Sequence, residues 1–319
     1  MPAPHPPPAP APARTRTSVA IALGALVVVV ALAAGCGTDA ARPDATTVPV
    51  AGPEAGVTSH YGTDAGPSSQ PTTKAALAAT HAFAATVDQS TASFVAAVTQ
   101  LQADVTAGDT TGARADELAA QGDYDAFREL ETGNTINAES LDELASDVGP
   151  DQSFGGLHAV ERDLWSVGPL ASDVSGLAGQ APVAQYVLSR ERLGPEAIGS
   201  VAVDELSWVV DVALPDSQEQ YSHRGLVDVA ATEQAAASLF AILLPLGRLV
   251  DPALTGTVQQ QFATLAFEVA ALGPPGSTPD TSVPAGVRLS LSEQLDATAS
   301  TLARLVATFT PYGTAGSPS

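Results

Sequence analysis

The stretch LTGTVQQQFATLAFEVAAL, residues 254–272, sets Leu254, Val258, Phe262, Leu265, Val269 and Leu272 four or three places apart. At 3.6 residues per turn those positions fall on one stripe of an α-helix. The same period returns at Phe94, Val98, Leu101 and Val105, with Leu77, Phe83 and Val87 ahead of them on roughly the same stripe. His81 lies close to that stripe and reads as a histidine at the edge of a core. Gly108 and Asp109 then end one helix and cap the next, which carries Leu118, Tyr124 and Phe127. Near the C-terminus, Ser290 and Glu293 make a capping-box pattern, so the last helix is expected to open there and continue through Leu295, Leu302, Leu305 and Phe309. No segment alternates apolar and polar residues with a period of two for long enough to make a strand. Val201–Val212 is the most ambiguous run, and its length together with Asp204 and Glu205 favours helix. The chain therefore reads as all-α, seven or eight helices between Lys74 and Tyr312. Antiparallel bundles are the natural way to bury such stripes. Breaks fall at Gly168-Pro169, Gly194-Pro195 and Gly273–Pro284, and Pro245 is expected to kink or interrupt the helix around it. Trp165 and Trp208 read as core anchors.

Charge narrows the function classes. The 319 residues carry a formal net charge of −22, and Lys74 is the only lysine. So acidic a chain is not built to bind nucleic acid through phosphate contacts. It suits a solvated extracytoplasmic protein or one that collects cations.

The N-terminus reads as an export signal. Arg14 and Arg16 precede an apolar run from Val19 to Ala34, and small residues lead into Cys36, the single cysteine of the chain. This resembles a bacterial lipobox, in which the cysteine is lipidated and becomes the mature N-terminus. The leucine usual three places before the cysteine is Ala33 here, with Leu32 one place earlier. An uncleaved membrane anchor is the other reading of the same run. The resulting division is a signal peptide at 1–35, a Pro/Gly-rich tether at 36–73, a helical domain at 74–312 and a tail at 313–319. With one cysteine, neither an intramolecular disulfide nor a cysteine metal site can form.

One short stretch carries chemistry: Gly155-Gly156-Leu157-His158-Ala159-Val160-Glu161. His158 and Glu161, three apart on a helix, project from the same face. An imidazole and a carboxylate side by side make half of a metal site, with the remaining ligands to come from elsewhere. Taken alone, the pair equally describes a helix with one histidine near a solvated glutamate.

Four patches recur in order: Ala107-Gly108-Asp109 with Tyr124-Asp125 fifteen residues after the aspartate; the His158/Glu161 stretch running on to Leu164-Trp165; Gln220-Tyr221-Ser222-His223 with Leu226 and Asp228; and Leu302-Ala303-Arg304-Leu305. Together they resemble the imelysin-like domain of the EfeO/EfeM-type iron-uptake lipoproteins, in the short form without a cupredoxin domain. The resemblance implies two packed antiparallel four-helix bundles with a cleft between them, and an extracytoplasmic, lipid-anchored protein that hands iron to a permease of the membrane. It makes His158, Glu161, Asp125 and Asp228 the candidate metal ligands, with Tyr124, Tyr221 and His223 orienting them. Iron is the metal it implies, and zinc or manganese fits the same nitrogen and carboxylate donors.

The chain departs from that family's pattern in several places. Asp125 stands where a longer glutamate is usual, and Arg128 displaces the second acid of that motif. Gly225 replaces an acid ahead of Asp228, and Ser207-Trp208 stands in place of a Glu-Glu pair unless Asp204-Glu205 supplies it. A binding or adhesion lipoprotein with a degenerate metal site is therefore a second reading. A metallopeptidase is a third, disfavoured because the helix carries one histidine rather than the two with an intervening glutamate that hydrolytic sites use.

Overall fold

A computed structural model describes residues 70–130, 141–144, 148, 154–166, 168–214, 219–274 and 282–312, all within one compact unit, Thr63–Ser319. The expected signal peptide, Cys36, the tether as far as residue 69, and the tail at 313–319 lie outside the described residues. Among the described residues the chain is all-helical, with eight α-helices and no strand. They are α1 (Gln70–Ala107), α2 (Thr110–Asp125), α3 (Gly156–Trp165), α4 (Leu170–Leu188), α5 (Pro195–Trp208), α6 (Leu226–Val250), α7 (Pro252–Ala271) and α8 (Ala285–Val306).

The first helix starts at Gln70, four residues before the expected boundary at Lys74. Pro71 suits a first turn, where its missing N–H has no partner to lose. The buried face of α1 runs through Thr72, Ala76, Ala79, Phe83, Val87, Phe94, Val98 and Leu101. Small residues take the first two turns of that face, so Leu77, which is 43% exposed, and His81 point outward, and the core-edge reading of His81 fails. Gly108 makes the turn into α2 with φ +72°, a conformation glycine adopts without strain, and Asp109 Oδ1 accepts from the Gly112 N–H at 3.0 Å as the expected cap.

Contacts run in a definite pattern. α1 packs along α2 and α4, and α3 bridges α2 and α4. α5 packs on α6 and α8, and α7 fills the space against the same two helices. α6 also crosses α1 and α2, and with smaller contacts from α5 to α1 it joins the first four helices to the last four. By length and composition α6 could cross a membrane. In this fold it is an internal strut, with Leu239, Phe240, Leu243 and Leu246 buried and stacked contact between Phe240 and Phe262.

One further expectation from the sequence fails and two are met in part. Of the kink or interruption expected at Pro245, α6 shows no interruption and runs from Leu226 to Val250. The Ser290/Glu293 pattern does not open α8, because Pro284, at φ −59° and ψ 141°, starts the helix at Ala285 and leaves the pair inside it. Trp165 and Trp208 are half-buried and pack against the hydrophobic core as expected of anchors, but each also lies under an arginine: Arg114 is 5.2 Å from the Trp165 ring and Arg128 is 3.3 Å from that of Trp208. The ambiguous 201–212 run is helical, although α5 ends at Trp208 and passes into a π-helical turn, Val209–Ala213.

Candidate metal centre

Entry into α3 is set by the two glycines. Gly155 is extended and caps the helix, and Gly156 sits at φ +75°, where a side chain would be strained. The Leu157 N–H donates to the Leu141 carbonyl at 2.8 Å, and the Gly155 N–H donates to Glu143 Oε2 at 3.3 Å. These bonds fasten the 141–143 segment beside the first turn of α3. Asp142 consequently stands against His158, its Oδ1 3.0 Å from Nε2.

The other ring nitrogen faces two glutamates. His158 Nδ1 is 3.8 Å from Glu161 Oε2 and 3.8 Å from Glu219 Oε1. Each glutamate is held by its second oxygen. Glu161 Oε1 accepts from the backbone N–H groups of Tyr221 at 3.0 Å and Ser222 at 2.6 Å. Glu219 Oε2 accepts from the Ser222 hydroxyl at 2.8 Å. The three remaining atoms, His158 Nδ1, Glu161 Oε2 and Glu219 Oε1, are buried and make no hydrogen bond. One ligand atom from each residue lies within 4.8 Å of the others. Donors about 2.0–2.2 Å from a tetrahedral metal stand about 3.4 Å apart, so the three side chains would draw together to close around one ion.

Further acids surround this trio. Glu117, Gln121 and Asp125 follow one another at four-residue spacing along the buried face of α2. Gln121 Nε2 donates to Asp125 Oδ1 at 3.2 Å, while both oxygens of Glu117 lack any hydrogen bond. Asp228, in the first turn of α6, is wholly buried with neither oxygen bonded. An unpaired buried carboxylate costs several kcal/mol if ionised, so such a group either keeps a proton or awaits a cation.

The electrostatics follow that logic. Burial, then the charge of Glu161, pushes Glu117 well above the ordinary carboxylate range against the pull of His158. Burial does the same to Glu219, reinforced by Glu117 and Glu161, and to Asp228, reinforced by Asp125 and Glu219. Asp125 is raised to about 7 by burial, although Arg128 pulls it down. Glu161 differs. Burial pushes it up, but His158 and the Ser222 N–H outweigh that and hold it below its usual value. Burial would lower the His158 pKa, yet Asp142 first, then Glu161 and Glu219, raise it well above 6.5. Burial thus favours the protonated form at Glu117, Glu219 and Asp228, while the surroundings of Glu161 and His158 favour their charged forms, so an entering cation would compete with protons.

The sequence-derived candidates are only partly assembled as expected. His158, Glu161, Asp125 and Asp228 are all buried, and His158 acts electrostatically on both Asp125 and Asp228. Tyr124 packs its ring against Phe94 and Phe127 at 5.9 and 5.4 Å, within the apolar core. Tyr221 contributes its backbone N–H to Glu161, and His223 is exposed, at φ 55°. Its N–H donates to the Glu219 carbonyl, so it shapes the loop through its backbone. Glu219, Glu117 and Asp142 are absent from the sequence-derived set. Glu219 directly precedes the Gln220–His223 patch, and Glu117 could be found from its stripe with Gln121 and Asp125. No local pattern marks Asp142. No family model matches this chain, and neither does any curated protein.

Proposed function

We propose that this protein is an extracytoplasmic metal-capture lipoprotein that takes up an iron ion at His158, Glu161 and Glu219 and delivers it to a permease in the membrane that Cys36 anchors it to. The observation carrying this reading is the convergence of three buried, unpartnered ligand atoms, one nitrogen and two oxygens, within 4.8 Å. A core assembled only for stability would pair those atoms or replace them with apolar groups. Glu117 is the next candidate donor, since both Glu161 and His158 act on its charge and neither of its oxygens has a hydrogen bond. Iron as cargo, the permease and the lipid anchor come from the resemblance of the four sequence patches. Mixed nitrogen and oxygen donors accept Fe²⁺, Zn²⁺ and Mn²⁺ alike. The bilobal arrangement is part of the same proposal: the contacts of α1–α4 among themselves, of α5–α8 among themselves, and of α6 with α1 and α2 support two four-helix bundles meeting near the site.

The test is calorimetric titration of the protein with Fe²⁺ under anaerobic conditions, then with Zn²⁺ and Mn²⁺, beside His158→Ala. Stoichiometric binding that weakens by at least about 100-fold in the variant supports the reading, since ligand loss exceeds the 10–100-fold cost of losing a supporting contact. A well-folded wild type that binds none of the three ions overturns it. Casein cleavage sensitive to chelators would instead favour the peptidase.

A further inference from the structure

Both glutamates of the candidate site are fastened by one residue. Ser222 lies just ahead of α6 and is buried. Its N–H donates to Glu161 Oε1 at 2.6 Å, and its hydroxyl donates to Glu219 Oε2 at 2.8 Å. Glu161 belongs to α3, 61 residues back along the chain, whereas Glu219 sits 3 residues before the serine. The Tyr221 N–H adds a second bond to Glu161 Oε1 at 3.0 Å. A carboxylate oxygen has about two lone pairs, so that oxygen is fully committed. The His223 N–H donates to the Glu219 carbonyl at 3.0 Å and closes the loop behind the clamp.

What the clamp leaves over is as definite as what it holds. Each glutamate has one oxygen turned to Ser222 and one that makes no hydrogen bond. The two free atoms, Glu161 Oε2 and Glu219 Oε1, each stand 3.8 Å from His158 Nδ1. A carboxylate held at one oxygen does not swivel to present both to one ion, so the site offers single oxygens. Zn²⁺ and ions of its size take a few such donors at about 2.0–2.2 Å. Ca²⁺ takes about six to eight oxygens at about 2.3–2.6 Å and draws on carboxylates that give both.

We infer that Ser222 is a positioning residue that holds both glutamates to one-oxygen ligation and so sets the site against calcium. This rests on the metal-capture reading. Ser222 touches no ion itself and acts through Glu161 and Glu219. Its hydroxyl is the replaceable half of the clamp, because every residue but proline keeps the N–H that binds Glu161. Ser222→Ala therefore releases Glu219 Oε2 alone.

The experiment titrates the full-length wild type, S222A and S222T with Zn²⁺, without and with an excess of Ca²⁺, beside thermal melts of the metal-free proteins. Wild type should bind Zn²⁺ equally in the two buffers. S222A should bind it about 10–100-fold more weakly without Ca²⁺, the usual cost of losing a group that orients a ligand, and more weakly again once Ca²⁺ is present. S222T keeps the hydroxyl and should follow wild type. A serine that served only the fold would cost Zn²⁺ affinity with no added effect of Ca²⁺. That result, an unfolded metal-free S222A, unchanged Zn²⁺ binding in S222A, or S222T behaving as S222A overturns the inference and leaves the capture reading standing. Competition by Ca²⁺ in wild type also overturns it. A folded wild type that binds no Zn²⁺ in either buffer counts against the capture reading and overturns this inference with it.

Discussion

The α7–α8 pair and the meeting place of α2, α3 and α6 are equally dry and are built from opposite materials. Between α7 and α8 the buried residues are Val258, Phe262, Leu265, Leu291, Leu295 and Leu302. Each such side chain contributes roughly 1.5–3 kcal/mol by leaving water. Where α2 packs on α3 and α6, the buried residues include Glu117, Asp125, His158, Glu161 and Asp228. There the chain forgoes hydrophobic stabilisation and keeps polar atoms without partners. The contrast separates what holds the fold from what the fold holds.

The contrast can be attacked from the apolar side first. Phe262→Ala and Leu295→Ala should each lower unfolding free energy by about 2–5 kcal/mol and leave metal affinity unchanged, read by denaturant melts and titration on the same samples. If either weakened metal binding tenfold or more, the two regions would not be separable in this way.

The next test concerns pH. Burial raises Glu233, on α6, from 4.5 to about 7. A carboxyl whose folded pKa is raised favours the native state while it is protonated. Its contribution is complete below about pH 4.5 and is lost as pH rises through about 7. The span corresponds to about 3 kcal/mol. Glu233→Gln should therefore gain stability relative to wild type between about pH 5 and 8, with little difference at about pH 4. A constant difference across that range would mean that Glu233 is solvated in the native state.

Glu117→Gln sharpens the comparison by its sign. Removing a buried carboxylate that has no hydrogen bond should raise the stability of the metal-free protein by about 1–3 kcal/mol while weakening ion binding, since function and stability draw on the same group in opposite directions. A loss of stability would show Glu117 to be structural. The smallest effect belongs to Asp109→Ala, which removes the cap at the start of α2 and should cost about 1 kcal/mol with no change at the site.

Most of the helices could be read from periodicity, because apolar burial imposes a period wherever it is the main force shaping a helix. Val258, Phe262, Leu265 and Val269 line the predicted stripe. The reading failed where alanine did the packing: Ala76 and Ala79 take the inner face of α1, and the larger Leu77 is left outside. At the site, His158 and Glu161 were legible because one helix carries both. Glu219 and Asp142 were not, because they arrive from separate segments fastened by backbone hydrogen bonds that leave no residue signature. Arg128 illustrates the same limit. Its partners Glu205 and Trp208 come from α5, far along the chain, and nothing local distinguishes it from a surface arginine.

Glu161 is held from the opposite loop by the main-chain N–H groups of residues 221 and 222. Every residue except proline offers that donor. Mutation can therefore replace the tyrosine side chain at 221 again and again without loosening the carboxylate. For this anchor, selection would act on the length and turn of the 219–223 loop rather than on its lettering. Chains that share this anchoring could drift far apart in sequence, and their kinship would be found by superposing loops sooner than by aligning motifs.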